Sequence, residues 1–183
     1  METDKLFKIA QKVLQAAGIK PGQQCLDFGC GRGNYTIPLA KIIGPKGIVY
    51  ALDKETSKLE KLLKRAQEMN LENIKTIVSS GSKIPLNDDS IDVVLLYDVL
   101  HPHYFSSEER KSLFQEITRI TKSQAILSIF PHHMDHNDIE EEIIHPLHSL
   151  GFCIVDEYNG PIVHDDEIIE EIVYTFQKHP QLE

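Results

Sequence analysis

The run Asp27-Phe28-Gly29-Cys30-Gly31-Arg32-Gly33-Asn34-Tyr35 joins a carboxylate to three alternate glycines. Glycines permit positive φ and a close backbone approach to a ligand. A carboxylate beside them attracts a cationic ligand and repels a diphosphate. A second carboxylate, Asp53, follows Gly33 by twenty residues and precedes Lys54. Ser80-Gly81 and Tyr97-Asp98 come later. Histidines form the other reactive group, His101 and His103 in one cluster and His132, His133 and His136 in another. Imidazole titrates near neutral pH, so His101 and His132 are candidate general bases, each able to take a proton from an attacking atom. Exposed loop histidines with no role are the competing reading. No ligand spacing ties the two clusters together, so no metal is expected.

The elements that must position these residues alternate strand with helix. Leu6, Ile9, Ala10, Val13, Leu14 and Ala17 recur at helical spacing, and Gly18 ends that helix. Strands are predicted over 25–28, 48–52, 74–78, 91–97, 125–130, 152–155 and 172–176. Helices are predicted over 34–43, along a buried stripe of Leu59, Leu62, Leu63, Ala66 and Met69, and after a Ser106–Glu109 capping box. Asn137 with Glu140 is read as capping one more helix. The middle strands are apolar almost throughout, as strands covered on both faces must be. The fold class is therefore α/β: a doubly wound, mainly parallel seven-stranded sheet with helices on both faces and an antiparallel edge strand at the C-terminus. Ligands bind such sheets beyond the carboxyl ends of the strands, where strand order reverses.

Residues 1–183 read as one domain, with 1–20 an N-terminal helix and lid and 182–183 a cloning remnant. Segments 99–106, 131–137 and 159–168 are further lid candidates. The chain carries a net charge of −9, with 41% hydrophobic and 26% charged residues. Acidic balance disfavours nucleic acid as a partner, and no apolar run approaches a membrane span. Three cysteines without a Cys-x-x-Cys fit a reducing, cytoplasmic setting. Cys25 reads as core and Cys30 as a small filler. The acidic runs 140–142 and 165–167 read as solvated faces.

The glycine loop departs from the dinucleotide fingerprint, which has its third glycine where Asn34 stands. Asp27-x-Gly29-x-Gly31-x-Gly33 instead resembles the first motif of class I S-adenosylmethionine-dependent methyltransferases. The run from Ser79 to Asp92, with Ile84-Pro85-Leu86 and Asp88-x-Ser90-Ile91-Asp92, is similar to a segment of the small-molecule members. Leu95 to His101 looks like their strand-four ending. The resemblance implies S-adenosylmethionine as cofactor. It puts Asp27 and the backbone of Gly29, Cys30, Gly31 and Gly33 at the methionine portion, with Asn34 and Tyr35 close by. Asp53, beside Lys54, falls to the ribose, Ser80 and Gly81 to the adenine, and Tyr97 and Asp98 to the methyl end. Ser80 stands where the family usually has an aspartate, and a neutral acceptor is weaker than a charged one. The implied activity is methyl transfer to a small-molecule acceptor, with a pocket formed by a homodimer left open. A non-catalytic regulator that binds the cofactor is the alternative. A NAD-dependent oxidoreductase ranks last, because no Tyr-x-x-x-Lys pair stands on a helix.

Overall fold

The structure is a computed structural model and describes residues 2–81 and 83–180. The expected remnant at 182–183 lies outside the described residues. Seven strands form one sheet: β1 (Gln24–Phe28), β2 (Ile48–Asp53), β3 (Ile74–Val78), β4 (Ile91–Tyr97), β5 (Thr121–Phe130), β6 (Phe152–His164) and β7 (Glu167–Lys178). Their order is β3-β2-β1-β4-β5-β7-β6. β1 to β5 pair in parallel, and β7 runs antiparallel to both β5 and β6. The antiparallel C-terminal strand thus lies one place inside the margin, which β6 occupies. Strand order reverses between β1 and β4.

The apolar middle strands divide their side chains between the two faces. In β4, Val94 and Leu96 join the core under α4 (Ser107–Ile120), whereas Val93 and Leu95 join that under α1 (Glu2–Ala16) and α2 (Thr36–Ile43). α3 (Thr56–Glu68) closes a smaller cluster through Leu59, Leu62 and Ala66. Leu63 and Met69, expected in that stripe, are exposed, because the face α3 buries is narrower than its apolar content. α1 buries Ala10, Val13 and Leu14 against α2 and the C-terminal strands.

Two other expectations need correction. The helix after β5 is capped by Asp135, whose carboxylate accepts the Asp138 N–H (2.9 Å), and not by Asn137. This helix runs as α5 (His136–Ile139), a π turn (Glu140–Ile144) and α6 (His145–Ser149). Pro146 has no N–H to give to the preceding turn, and the His145 N–H reaches back to the Glu140 carbonyl. The C-terminal strands are also far longer than predicted. Asp165 and Asp166, both at positive φ (45° and 68°), turn β6 directly into β7. Aspartate tolerates this left-handed geometry, so a two-residue hairpin forms without the usual glycine.

Arg110 braces the loop that follows β4. Its guanidinium is buried and donates to the carbonyls of Leu100 (3.1 Å) and Phe105 (2.6 Å) and to Glu142 Oε2 (2.8 Å). Glu142 therefore leaves the solvated face expected for its run, and Arg110 holds its carboxyl below the usual range. Breaking a buried pair on one side leaves the other charge uncompensated. Here Glu142 is part-exposed, so the loss falls mainly on the two carbonyls, and Arg110→Met should lower unfolding stability in urea by about 2 kcal/mol. A loss below about 1 kcal/mol, the worth of an exposed pair, would contradict the bracing role.

Candidate active site

A cavity of about 680 Å³ opens at the carboxyl ends of β1, β2 and β4, where the strand order reverses. Its lining includes Asp27, Gly29, Cys30, Gly31, Asn34, Tyr35, Asp53, Lys54, Ser80, Gly81, Tyr97 and Asp98. The topology thus brings together residues spread over seventy positions of sequence. Gly33 lies outside the lining: a Cβ there would stand 2.3 Å from Leu62 Cδ1, so this glycine serves the packing of α3.

Asp27 is the most confined charge of the site. It is buried at the end of β1, and Thr36 Oγ1, at the start of α2, donates to its Oδ2 (2.5 Å). Burial raises its pKa to about 6. The Thr36 hydrogen bond opposes the rise and the charge of Asp53 adds to it. Asp53 is also buried, and its two oxygens accept the N–H groups of Gly31 (2.9 Å) and Glu55 (2.9 Å).

The glycine loop is held by its own backbone. Gly29 and Cys30 donate to the Leu52 carbonyl (2.7 and 3.0 Å), and Gly33 donates to that of Cys30 (2.9 Å). With Gly31 given to Asp53, four loop N–H groups are already used. These bonds fix the shape of the loop. At Gly31, φ is 54° and an added Cβ would meet nothing within 4 Å, so the loop lies open there. A Cβ at Gly29 would strike Val99 (2.3 Å), so that glycine admits the chain after β4. Cys30 is buried filler, as its size suggests.

On the β3 side, the Gly81 N–H donates to Ser79 Oγ (3.1 Å). The absent side chain of Gly81 makes room for the Phe28 ring. Ser80 remains exposed at the rim. Lys54 lies over the Tyr104 ring at 5.2 Å, across the mouth. Tyr97 and Tyr35 meet edge to face, with centroids 4.5 Å apart. The Tyr97 hydroxyl is bonded to Ser128 (2.8 Å).

The β6–β7 hairpin straps the other side. The Tyr35 hydroxyl donates to the Val163 carbonyl (3.1 Å) and accepts its N–H (3.0 Å). At the tip, Asp166 takes an ion pair from Arg32 and a hydrogen bond from Asn34 Nδ2 (2.9 Å). The run 165–167 is exposed, as expected, and Asp166 makes these two contacts from the surface. Of the lid candidates, 99–106 and 159–168 supply lining residues.

The histidines are drawn into one group. His101 is buried and stacks against Tyr104 at 4.2 Å and His133 at 5.5 Å, but it does not itself line the cavity. Burial pushes its pKa below the ordinary value, Asp98 opposes this, and the neighbouring imidazoles reinforce it. His132 also stands behind the wall, 4.5 Å from the ring of His164. The imidazole that does line the cavity is His164, which sequence reasoning missed. It stands next to an acidic run at the end of β6, and only the strand pairing brings it to the ends of β4 and β5. Its Nδ1 lies 3.3 Å from Asp98 Oδ2, while Asp98 Oδ1 is buried without a partner.

Comparison with known proteins agrees with this geometry. A family model described as a methyltransferase domain matches residues 19–179. Demethylmenaquinone methyltransferase of Geobacillus stearothermophilus is 30% identical over 122 residues, covering 66% of this chain and 50% of that enzyme. The protein of that name from Staphylococcus aureus (strain JH9) is 31% identical over 86 residues, 47% of this chain and 35% of that one. The chain thus spans half or less of the length of these relatives. A solved SAM-dependent methyltransferase from Aquifex aeolicus shares the fold, with TM-score 0.70, 22% identity, and coverage of 96% of this chain and 97% of that one. On the match across residues 19–179, the chain belongs to the methyltransferase-domain family, and it has the fold of a solved SAM-dependent methyltransferase.

Proposed function

We propose that the protein binds S-adenosylmethionine in the cavity at the ends of β1, β2 and β4 and transfers its methyl group to a small-molecule acceptor. The carrying observation is the buried carboxylate of Asp27 beside the open backbone at Gly31. This pairing suits an ammonium or sulfonium and repels a diphosphate. The residues fit the cofactor: Asp53 offers a second carboxylate at the end of β2, and the cavity has the size of a cofactor site. When bound, the cofactor supplies a methyl group already activated on sulfur.

The protein's share is then to hold, orient and exclude water. Asp27 holds the methionine portion, Asp53 the ribose, and the rim at Ser80 the adenine. Tyr35 and Tyr97 form an apolar floor with their hydroxyls already satisfied. Asp98 and His164 stand on the acceptor side, between the hairpin and the loop 99–106. His101 and His132 pack behind this wall against the rings of His133 and His164. Tyr104 and Phe105 at the mouth suit an aromatic or other small acceptor. The net charge of −9 weighs against a nucleic acid. The relatives are named for demethylmenaquinone, which supports trying quinone-type acceptors first. Among the described residues, no helix is long and apolar enough to cross a membrane.

Titration calorimetry with S-adenosylhomocysteine should show binding that Asp27→Asn and Asp53→Ala each weaken by at least about tenfold. Binding unchanged in both variants would remove the assignment. Release of S-adenosylhomocysteine from S-adenosylmethionine over a panel of hydroquinones, phenols and thiols tests transfer. Binding without turnover on any of them would favour a regulator.

Asp27 also links function to stability. Its folded-state pKa of about 6 lies above the ordinary 3.8, so the folded ligand-free protein binds protons more readily here than the unfolded chain does. The cost is absent below about pH 4, grows as pH rises, and is fully present above about pH 6. It amounts to about 3 kcal/mol. Asp27→Asn should therefore stabilise the ligand-free protein at pH 8 and lose that advantage at pH 4. Urea unfolding at both pH values checks this, and a destabilised variant at pH 8 would contradict it.

A further inference from the structure

We infer that His132, His133 and His164 form a binding site for one divalent transition-metal ion of the zinc class, set at the acceptor side of the cavity. One nitrogen from each ring lies within 4.8 Å of the others. The three rings come from two separate parts of the fold, the turn after β5 and the end of β6. Their centroids are 3.9 Å (His132–His133), 4.5 Å (His132–His164) and 6.1 Å (His133–His164) apart.

Three features favour a shared ligand over mere stacking. First, among the described residues none of the three rings makes a hydrogen bond, and the buried Nδ1 of His132 lies 3.3 Å from Glu171 Oε1 without being bonded to it. A desolvated ring nitrogen left unaligned is costly, and a metal on the ring's other nitrogen would fix the ring with Nδ1 toward Glu171. Second, carboxylates flank the group as they flank metal-binding histidines. Asp98 Oδ2 lies 3.3 Å from His164 Nδ1, and Glu171 Oε1 lies 3.3 Å from His132 Nδ1. A carboxylate beside one ring nitrogen orients the other toward a metal and raises its basicity; for His164 the exposed Asp165, 3.7 Å from Nε2, must turn aside for this. Third, the donor set is right for the ion. Three neutral imidazoles suit zinc and its neighbours in the first transition row and do not suit magnesium or calcium.

The geometry requires only a small closure. Metal–nitrogen bonds of about 2.0–2.1 Å in a tetrahedral site set nitrogens about 3.4 Å apart, so the widest gap must shrink by roughly 1.4 Å. His133 is exposed on a turn, at φ 62°, and can supply that movement. Three protein ligands leave a fourth position for a small molecule. His164 lines the cavity, so that position faces the acceptor. An acceptor hydroxyl or thiol taken up there gives its proton to solvent and stays on the metal as the anion, a better nucleophile. This last role rests on the methyl-transfer reading above; the metal site does not.

The test uses the full chain free of any affinity tag, stripped with a chelator and then titrated with Zn²⁺ alone against a chromophoric competitor. One equivalent should bind, and Co²⁺ in its place should give the visible absorption of a four-coordinate centre. His133→Ala and His164→Ala should each weaken Zn²⁺ binding on the order of 100-fold, while His145→Ala, on the exposed face of α6, leaves it unchanged. Retained circular dichroism and retained S-adenosylhomocysteine binding show that the variants are folded. Zn²⁺ affinity that is the same in all three variants, or no Co²⁺ band, overturns the metal site and leaves the cofactor reading standing. Specific Zn²⁺ binding in a chain that fails to bind S-adenosylhomocysteine upholds the metal site and overturns the cofactor reading.

Discussion

Asp27 is a carboxylate with almost no solvent contact, placed at the end of the first strand and held by one hydroxyl from the helix that follows. A buried charge of this kind is tolerated when something repays its desolvation. Thr36 repays part of it. The rest is left for whatever enters the cavity, and a cationic group does so best. The neighbouring parts make sense in this light. The glycine loop turns back on itself without using the Asp27 oxygens, and Asp53 fixes the loop through the Gly31 N–H. The result is a rigid rim around an unsatisfied negative charge.

The acceptor side is built differently, from segments that close over the rim. The Tyr35 hydroxyl holds both backbone groups of Val163, which ties the long hairpin to the start of α2. Arg32 and Asn34, the polar members of the glycine loop, hold the hairpin tip at Asp166. The loop after β4 is fixed from below by Arg110. Both segments therefore depend on side chains whose charges are matched locally, although the chain as a whole is strongly acidic. In this arrangement the imidazole group sits between two braced walls, beside Asp98.

Much of the frame was legible in the sequence because its signals are local. Alternation of strand and helix, the apolar runs of β1, β2 and β4, and the Ser106–Glu109 capping box all follow from neighbours in the chain. So did Asp27 and Asp53, since strand ends are where such sheets bind ligands. What failed to show was long-range. His164 sits in the cavity wall only because β6 continues nine residues beyond the strand expected for it, and nothing near it in sequence marks that extension. Asp165-Asp166 is the exposed pair it was read as, but it also makes a hairpin turn without glycine, which its residue types did not announce. Gly33 and Gly81 fit the motif, yet their missing side chains serve Leu62 and Phe28. Leu63 and Met69 matched the helical period but fall outside the face that α3 buries.

The central claim is that the Asp27 carboxylate is held ready for a cationic ligand. The direct measurement is the titration of its carboxyl carbon by nuclear magnetic resonance, with and without bound S-adenosylmethionine. The account predicts a pKa near 6 in the free protein and a fall of at least about one unit on binding, as an opposite charge arrives. An unchanged titration on binding, or a rise, would contradict it.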